Sequence, residues 1–390
     1  MGIYLNPGNK SFQISLNSKI YVDKSNLIAY TNSVINTEQR FVCVSRPRRF
    51  GKSMAASMLA AYYGLGTDSG QFEHLAIAKD ESYREHLNQY NVIFLNVQQF
   101  LSRTHDISQM TALIISYLTK EISRTYSNIE FFNNSDLIGC LMDVYAATNI
   151  PFVFIIDEWD CIFREYKNDT ESQRLYLDFI RNLLKDQPYV ALAYMTGILP
   201  IKKYGTHSAL NMFDEFSMTN PGPLAPFVGF TDQEVQNLCA EFQMDYEEIK
   251  RMYDGYCFEG TTHVYSPRSV VSALLTRSYD NFWNKTETFE ALRDYIILNF
   301  KGLQDIITEL LAGARKKINT ATFTNDMAAF SSADDVLTLL VHLGYLGYDY
   351  KTKEIFIPNS EIASEFCNAV ESAGWDNITA KGFSKSLLYR

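Results

Sequence analysis

The stretch 41–56, Phe-Val-Cys-Val-Ser-Arg-Pro-Arg-Arg-Phe-Gly-Lys-Ser-Met-Ala-Ala, constrains the fold of this chain more than any other. Phe41 to Val44 is a short apolar run with the β-branched character of a buried strand. A turn with Pro47 and Gly51 follows, and then Lys52 to Tyr63, which is strong helix material. Strand, loop ending in Gly-Lys-Ser, then helix is the order that a phosphate-binding P-loop requires. Its backbone N–H groups surround phosphates, the lysine neutralises the outer ones, and the hydroxyl holds Mg²⁺. The usual spacing puts a glycine five positions before the last one, where this chain has Arg46. A non-glycine fits there if φ stays negative, and the following Pro47 biases residue 46 towards extended backbone.

A second motif supports the first. Phe152 to Ile156 is an apolar run that ends in Asp157-Glu158-Trp159-Asp160. A buried strand of this kind delivers Asp157 to the carboxyl edge of a parallel sheet, where it can hold Mg²⁺ together with Ser53. Glu158 is then placed to polarise an attacking water. Asp160 reads equally as a supporting carboxylate or as the cap of the next turn. Thr196 ends the next apolar run, Val190 to Thr196, and is a candidate sensor of the outer phosphate. Lys202 and Lys203 follow in a turn and read as a solvated pair.

Other segments supply the setting. Ile20 to Val22 reads as a short strand and Asp23 as the cap of a helix from Lys24 to Tyr30; Val92 to Val97 reads as a buried strand. Helices are expected over 108–126, 136–147 and 171–185, and 213–218 as a fifth strand. Short apolar strands alternating with helices indicate a parallel α/β sheet. The breaker-rich Asn220 to Pro226 marks a boundary. Thr231 and Glu234 then form a capping box for a helix ending at Phe242, and a second helix spans 245–253. Residues 256–265 look irregular or extended, Pro267 starts a helix reaching Thr276, and 289–314 reads as helical. A helix over 334–344 followed by two short strands outlines a winged helix. The expected fold is α/β: an N-terminal arm (1–35), a P-loop NTPase core with a parallel sheet (36–225), a helical lid (226–315) and a winged-helix-like domain (316–390).

Composition sets the remaining bounds. At 390 residues and 46% hydrophobic, the chain can bury the cores of two or three domains. A net charge of −10 argues against a uniformly basic nucleic-acid-coating surface. Six cysteines without CxxC pairs, no signal peptide and no apolar run of membrane-spanning length lead to the expectation of a cytoplasmic protein with reduced thiols.

At Tyr21-Val-Asp-Lys24, Arg46-Pro-Arg-Arg-Phe-Gly-Lys-Ser53, Ile156-Asp-Glu-Trp-Asp160, Thr196-Gly-Ile198, Gly229-Phe-Thr-Asp-Gln-Glu-Val235 and Tyr253-Asp-Gly-Tyr256, the sequence resembles the bacterial AAA-ATPase-like family. The motifs cover roughly the first 270 residues, in order, and Arg46 belongs to that family's form of the loop. Wider kin are the archaeal and STAND-type ATPases. The resemblance implies ATP and Mg²⁺ as ligands, with Pro47, Arg48, Arg49, Phe50, Gly51, Lys52, Ser53 and Met54 around the phosphates. Ser53 and Asp157 would hold the metal, and Lys52, Asp157, Glu158 and Thr196 would carry hydrolysis. Arg48 and Arg49 either form structural ion pairs or contact phosphate and couple it to closure. Lys52 is expected to be exposed in the empty loop.

The implied activity is ATP hydrolysis driving a nucleotide-gated switch. Two rivals are a non-hydrolysing nucleotide-binding scaffold and a DNA-binding regulator that acts through the winged helix. A nucleic-acid or protein partner for the C-terminal region and a homo-oligomer both stay open. Relatives often carry a PD-(D/E)XK nuclease domain. The nearest pattern here, Asp245 with Glu248-Ile-Lys250, lies on a helix and is wrong for that chemistry, so no nuclease activity is expected in these residues.

Overall fold

A computed structural model describes residues 2–372, except 69, 202, 205, 206, 209, 259–261, 284–291, 293, 294, 296–299, 301 and 326–329. The chain divides into two compact units, one of residues 1–45, 52–216 and 325–328, the other of residues 46–51, 217–324 and 329–390.

The first unit is built on a parallel sheet of β1 (Phe41–Ser45), β2 (Asn91–Asn96), β3 (Phe152–Asp157), β4 (Val190–Gly197) and β7 (Asp214–Phe216), in the order β2-β3-β4-β1-β7. Every residue of β1, β3 and β4 is buried, which is why these strands read as continuous apolar runs. β5 (Lys203–Tyr204) and β6 (His207–Ser208) form a small antiparallel ladder. Nine helices are described around the sheet: α1 (Lys10–Leu16), α2 (Asn26–Val34), α3 (Lys52–Tyr63), α4 (Tyr83–His86), α5 (Val97–Thr104), α6 (Ile107–Thr125), α7 (Leu137–Thr148), α8 (Cys161–Glu165) and α9 (Thr170–Leu184). Asp106, Asp136 and Asp169 cap α6, α7 and α9 through their carboxylates.

Three local expectations fail. Residues 20–22 form no strand, because the open edge of β2 is taken by the chain start instead. Leu5 bridges Ile93 in antiparallel fashion, and the N–H groups of Ile3, Tyr4 and Leu5 donate to the Glu121 carboxylate at 2.8–2.9 Å. Asp23 does not cap the helix from its own position, since α2 starts at Asn26. Its two carboxylate oxygens accept from Ser25 N at 2.8 Å and Ala76 N at 2.7 Å, tying the arm to a later turn. Val97 leaves the strand as well, because the Asn96 side chain caps α5 at Gln99 N.

In the second unit, β8 (Phe230–Thr231), β9 (Tyr256–Phe258) and β10 (Thr262–Tyr265) form an antiparallel sheet in the order β8-β10-β9. The segment expected to be irregular or extended is extended: β9 and β10 pair as a hairpin of two short strands. Around it are α10 (Asp232–Phe242), opened by the Thr231–Glu234 capping box, α11 (Tyr246–Tyr253) and α12 (Pro267–Thr276). Within 289–314 the described helix is α13 (Leu303–Leu311), and much of that segment lies outside the described residues. The last part has the winged-helix outline: α14 (Ala333–Leu343) ending at Gly344, then the hairpin β12 (Gly347–Asp349) and β13 (Glu354–Phe356), joined by β11 (Lys316–Lys317) as a third strand. α15 (Ser360–Ser372) follows.

α15 contributes a buried acid to this core. Glu361 accepts from Phe282 N at 2.7 Å, Trp283 N at 3.0 Å and Ser269 Oγ at 2.9 Å, and burial pushes its carboxyl up to about 7. The folded pKa is therefore above the unfolded one. The associated stability is present below the ordinary glutamate value and is lost as pH rises through about 7. Urea titrations from pH 5 to 8 should show Glu361→Gln gaining on the wild type as pH rises, by about 2 to 3 kcal/mol across the range. A difference that does not change with pH would contradict this.

Candidate active site

The site of the first unit lies at the carboxyl end of its sheet. Strand register aligns Asn96 with Asp157 and Asp157 with Thr196, which sets three polar side chains in a row across β2, β3 and β4. Apolar residues precede them in each strand, so the polar groups surface only where the strands end. Asp157 is 1% exposed. Its carboxylate accepts from Ser53 Oγ at 2.7 Å, from Glu158 N at 3.1 Å, from Asn96 Nδ2 at 3.4 Å and from the Thr196 hydroxyl. Thr196 therefore faces the carboxylate of Asp157.

Lys52 and Ser53 open α3, with Gly51 before them in left-handed backbone at φ +92°. The lysine is only 5% exposed, which corrects the expectation of an exposed side chain. Burial pulls its ammonium below the ordinary value, against the attraction of Glu158, Asp157 and Asp160. Met54, on the outer side of α3, is 44% exposed.

Glu158 has left-handed backbone, φ +54°, which a non-glycine residue adopts only when its surroundings hold it there. Burial first, and Asp160 second, push its carboxyl above the usual range, while Lys52 and Arg164 pull the other way. Arg164 Nη2 donates to Glu158 Oε2 at 2.6 Å, and its Nε donates to Asp160 Oδ2 at 3.2 Å. That Asp160 oxygen also accepts from Ile198 N at 3.1 Å and Leu199 N at 2.9 Å. Asp160 is thus a supporting carboxylate, holding the chain after β4; it sits at the cap position of α8 without a side-chain cap bond. Gly197 leaves it room, since a Cβ there would come 2.7 Å from Asp160 Oδ1 and from Trp159 Nε1.

Residues 46–51 group with the second unit, where each has its own surroundings. Arg46 is fully buried, with its guanidinium 5.0 Å above the Phe258 ring centre. Phe50 is 1% exposed and meets Tyr256 edge-on at 5.4 Å. Pro47 is buried, Arg48 half-buried and Arg49 exposed at φ +70°. Of the two lysines after β4, Lys202 lies outside the described residues.

The sequence reading missed Arg164, Asn96 and the anchoring of Arg46. Arg164 had a local signal, its i,i+4 spacing from Asp160. The other two depend on strand register and tertiary packing.

Ser53 and Asp157 offer two hard oxygen donors side by side, a set that fits Mg²⁺, which commonly takes one or two protein ligands. Among the described residues, no cluster of three or more His, Cys, Asp or Glu side chains suits a metal, and no helix is long and apolar enough to cross a membrane.

Solved structures of similar outline include the Aeropyrum pernix ORC2 protein in ADPNP–ADP complexes, 12% identical with a TM-score of 0.39, covering 94% of this chain and 98% of that one. The Aeropyrum pernix ORC1 protein in complex with DNA is 10% identical with a TM-score of 0.33, covering 98% and 99%. A curated relative, an uncharacterized protein in the vnfD 5′ region of Azotobacter chroococcum mcd 1, is 25% identical over 260 residues, 65% of this chain. The chain spans about half, 48%, of that relative's length. The family model described as a predicted AAA-ATPase matches residues 8–206, the span that holds the loop, the Asp-Glu strand end and Thr196. This chain belongs to the predicted AAA-ATPase family and has its P-loop α/β fold.

Proposed function

We propose that the chain is an Mg²⁺-dependent ATPase that acts as a nucleotide-controlled switch. The observation that carries this reading is the 2.7 Å bond from Ser53 Oγ to Asp157 Oδ2, which joins the P-loop hydroxyl to the acid at the end of β3. These two residues would hold Mg²⁺, which supplies charge neutralisation at the outer phosphates. Backbone N–H groups at Gly51 to Met54 and the Lys52 ammonium bind the phosphate oxygens. Pro47 to Phe50 form the rest of the loop and contribute backbone, with Arg48 and Arg49 able to add charge. Glu158 accepts the proton of the attacking water. Its pKa, raised by burial, makes it a stronger base than an exposed glutamate. Thr196 keeps Asp157 oriented.

The switch reading draws on chain continuity. Lys52 and Ser53 belong to the first unit, and the loop that leads directly into them groups with the second. The switch reading therefore puts the nucleotide-dependent change in the backbone of that loop. The proposal keeps the division into arm, core, lid and winged-helix-like domain at residues 35, 225 and 315.

Phosphate release from ATP tests this reading. Turnover should require Mg²⁺ and fall to background in EDTA, returning when the metal is restored. Metal-independent release, or none with saturating Mg²⁺ and ATP, would count against it.

A further inference from the structure

The loop ahead of Lys52 is seated near both of its ends on one pair of residues in the second unit. Gly344, which ends α14 at φ +86°, lies against Pro47: a Cβ there would come 2.8 Å from Pro47 Cγ and 2.9 Å from Pro47 Cβ. So close an approach, on left-handed backbone, suits glycine. Phe50, further along the loop, meets the Tyr256 ring edge-on at 5.4 Å. Tyr256 is 2% exposed, and its hydroxyl donates to the Gly344 carbonyl. Pro47, Gly344, Tyr256 and Phe50 thus form a closed circuit of contacts within that unit. Between Pro47 and Phe50 lies Arg49 at φ +70°, a left-handed backbone that a non-glycine residue keeps only where its surroundings impose it.

We propose that Tyr256 is a positioning residue for nucleotide binding: with Gly344 it seats residues 47–50 so that the following backbone is presented to phosphate. The end of α14 and a bound phosphate then favour the same state of the loop. This rests on the ATPase reading and adds to it a control exerted by the second unit. Tyr256 acts through Phe50 rather than on the phosphate. The coupling is reciprocal: whatever factor the seat adds to phosphate affinity, bound phosphate returns to the seat.

The test combines equilibrium binding with amide exchange on the full chain, using Mg²⁺ and a non-hydrolysable ATP analogue. Tyr256→Phe keeps the ring and takes its hydroxyl from the Gly344 carbonyl, while Phe50→Leu removes the ring that Tyr256 meets. Each should raise Kd about tenfold, the scale of one hydrogen bond or one aromatic pair. With ATP as substrate, kcat at saturation should stay within about twofold of wild type, since uniform binding is what is lost. The double variant should lose less than the product of the two, because both act on one seat. Ile249→Val, a buried change in α11 of the same unit, should lower the melting temperature and leave Kd unchanged.

In the wild type, the analogue should slow exchange at residues 51–54. It should also slow it, by up to about tenfold, at Gly344, Tyr345 and Leu346, whose N–H groups donate to the Val341 and Leu340 carbonyls. Tyr256→Phe should keep the first effect and lose the second. Wild-type Kd in both single variants, or slowing confined to 51–54 in the wild type, would overturn the inference and leave the ATPase reading in place. No binding, with no slowing at 51–54, would remove that reading and the inference with it. The wild-type exchange comparison decides even where a variant does not fold.

Discussion

Lys52→Ala should weaken ATP binding on the order of a hundredfold, the scale of a lost charge-assisted contact to phosphate, and leave the melting temperature within a few degrees of wild type. The second half of this expectation follows from burial. Lys52 is 5% exposed and surrounded by Asp157, Glu158 and Asp160, yet its pKa is lowered, so desolvation outweighs the attraction of three acids. Burial thus disfavours the charged ammonium in the folded chain, and an incoming phosphate adds attraction that favours it. Calorimetric ATP titration beside thermal melting checks both halves. Unchanged affinity would remove the loop from nucleotide binding. A collapse in melting temperature would mean that the lysine holds the fold together.

Glu158→Gln should lower turnover by about 10² to 10⁴-fold with ATP affinity retained, the range that general-base catalysis contributes. The substitution is nearly isosteric, and the amide oxygen can still accept from Arg164. Because burial already disfavours the charged form of Glu158, neutralising it should not destabilise the unit. Single-turnover phosphate release with equilibrium ATP binding measures the two effects separately. Equal losses in both would make Glu158 a binding residue. Full turnover would exclude it as the base.

The parts of the fold that could be read from sequence are those determined locally. β1, β3 and β4 are buried on both faces, so their apolar runs are continuous, and α3 and α12 match their expected bounds because strong helix formers or Pro267 define their starts. The capping box at Thr231 and Glu234 is likewise a short-range signal. What could not be read depends on partners far away in the chain. The N-terminal strand-like segment is held by Glu121, more than a hundred residues on, and no periodicity in residues 2–6 announces it. Residues 256–265 could be read as extended but not as paired, because β9 and β10 are too short and too mixed in polarity to alternate visibly.

The site shows the same division. Gly51-Lys52-Ser53 and Asp157-Glu158 carry their chemistry in their own residue types, so sequence was sufficient to single them out. That Thr196 donates to Asp157 follows from strand register, and that Lys52 is buried follows from the acids folded around it. Arg46 takes the place of a glycine in the loop, and its buried guanidinium lies over the Phe258 ring. Spacing alone could not separate that from a phosphate contact.

The most direct test of the central claim is a crystal structure with Mg²⁺ and a non-hydrolysable ATP analogue. The account predicts phosphate density against the backbone of Gly51 to Ser53 and the Lys52 ammonium. It also predicts a metal ligated by the Ser53 hydroxyl, with Asp157 directly or through water in its coordination sphere. A saturated crystal in which the analogue binds elsewhere, or in which Ser53 still donates to Asp157 with no metal between them, would contradict it.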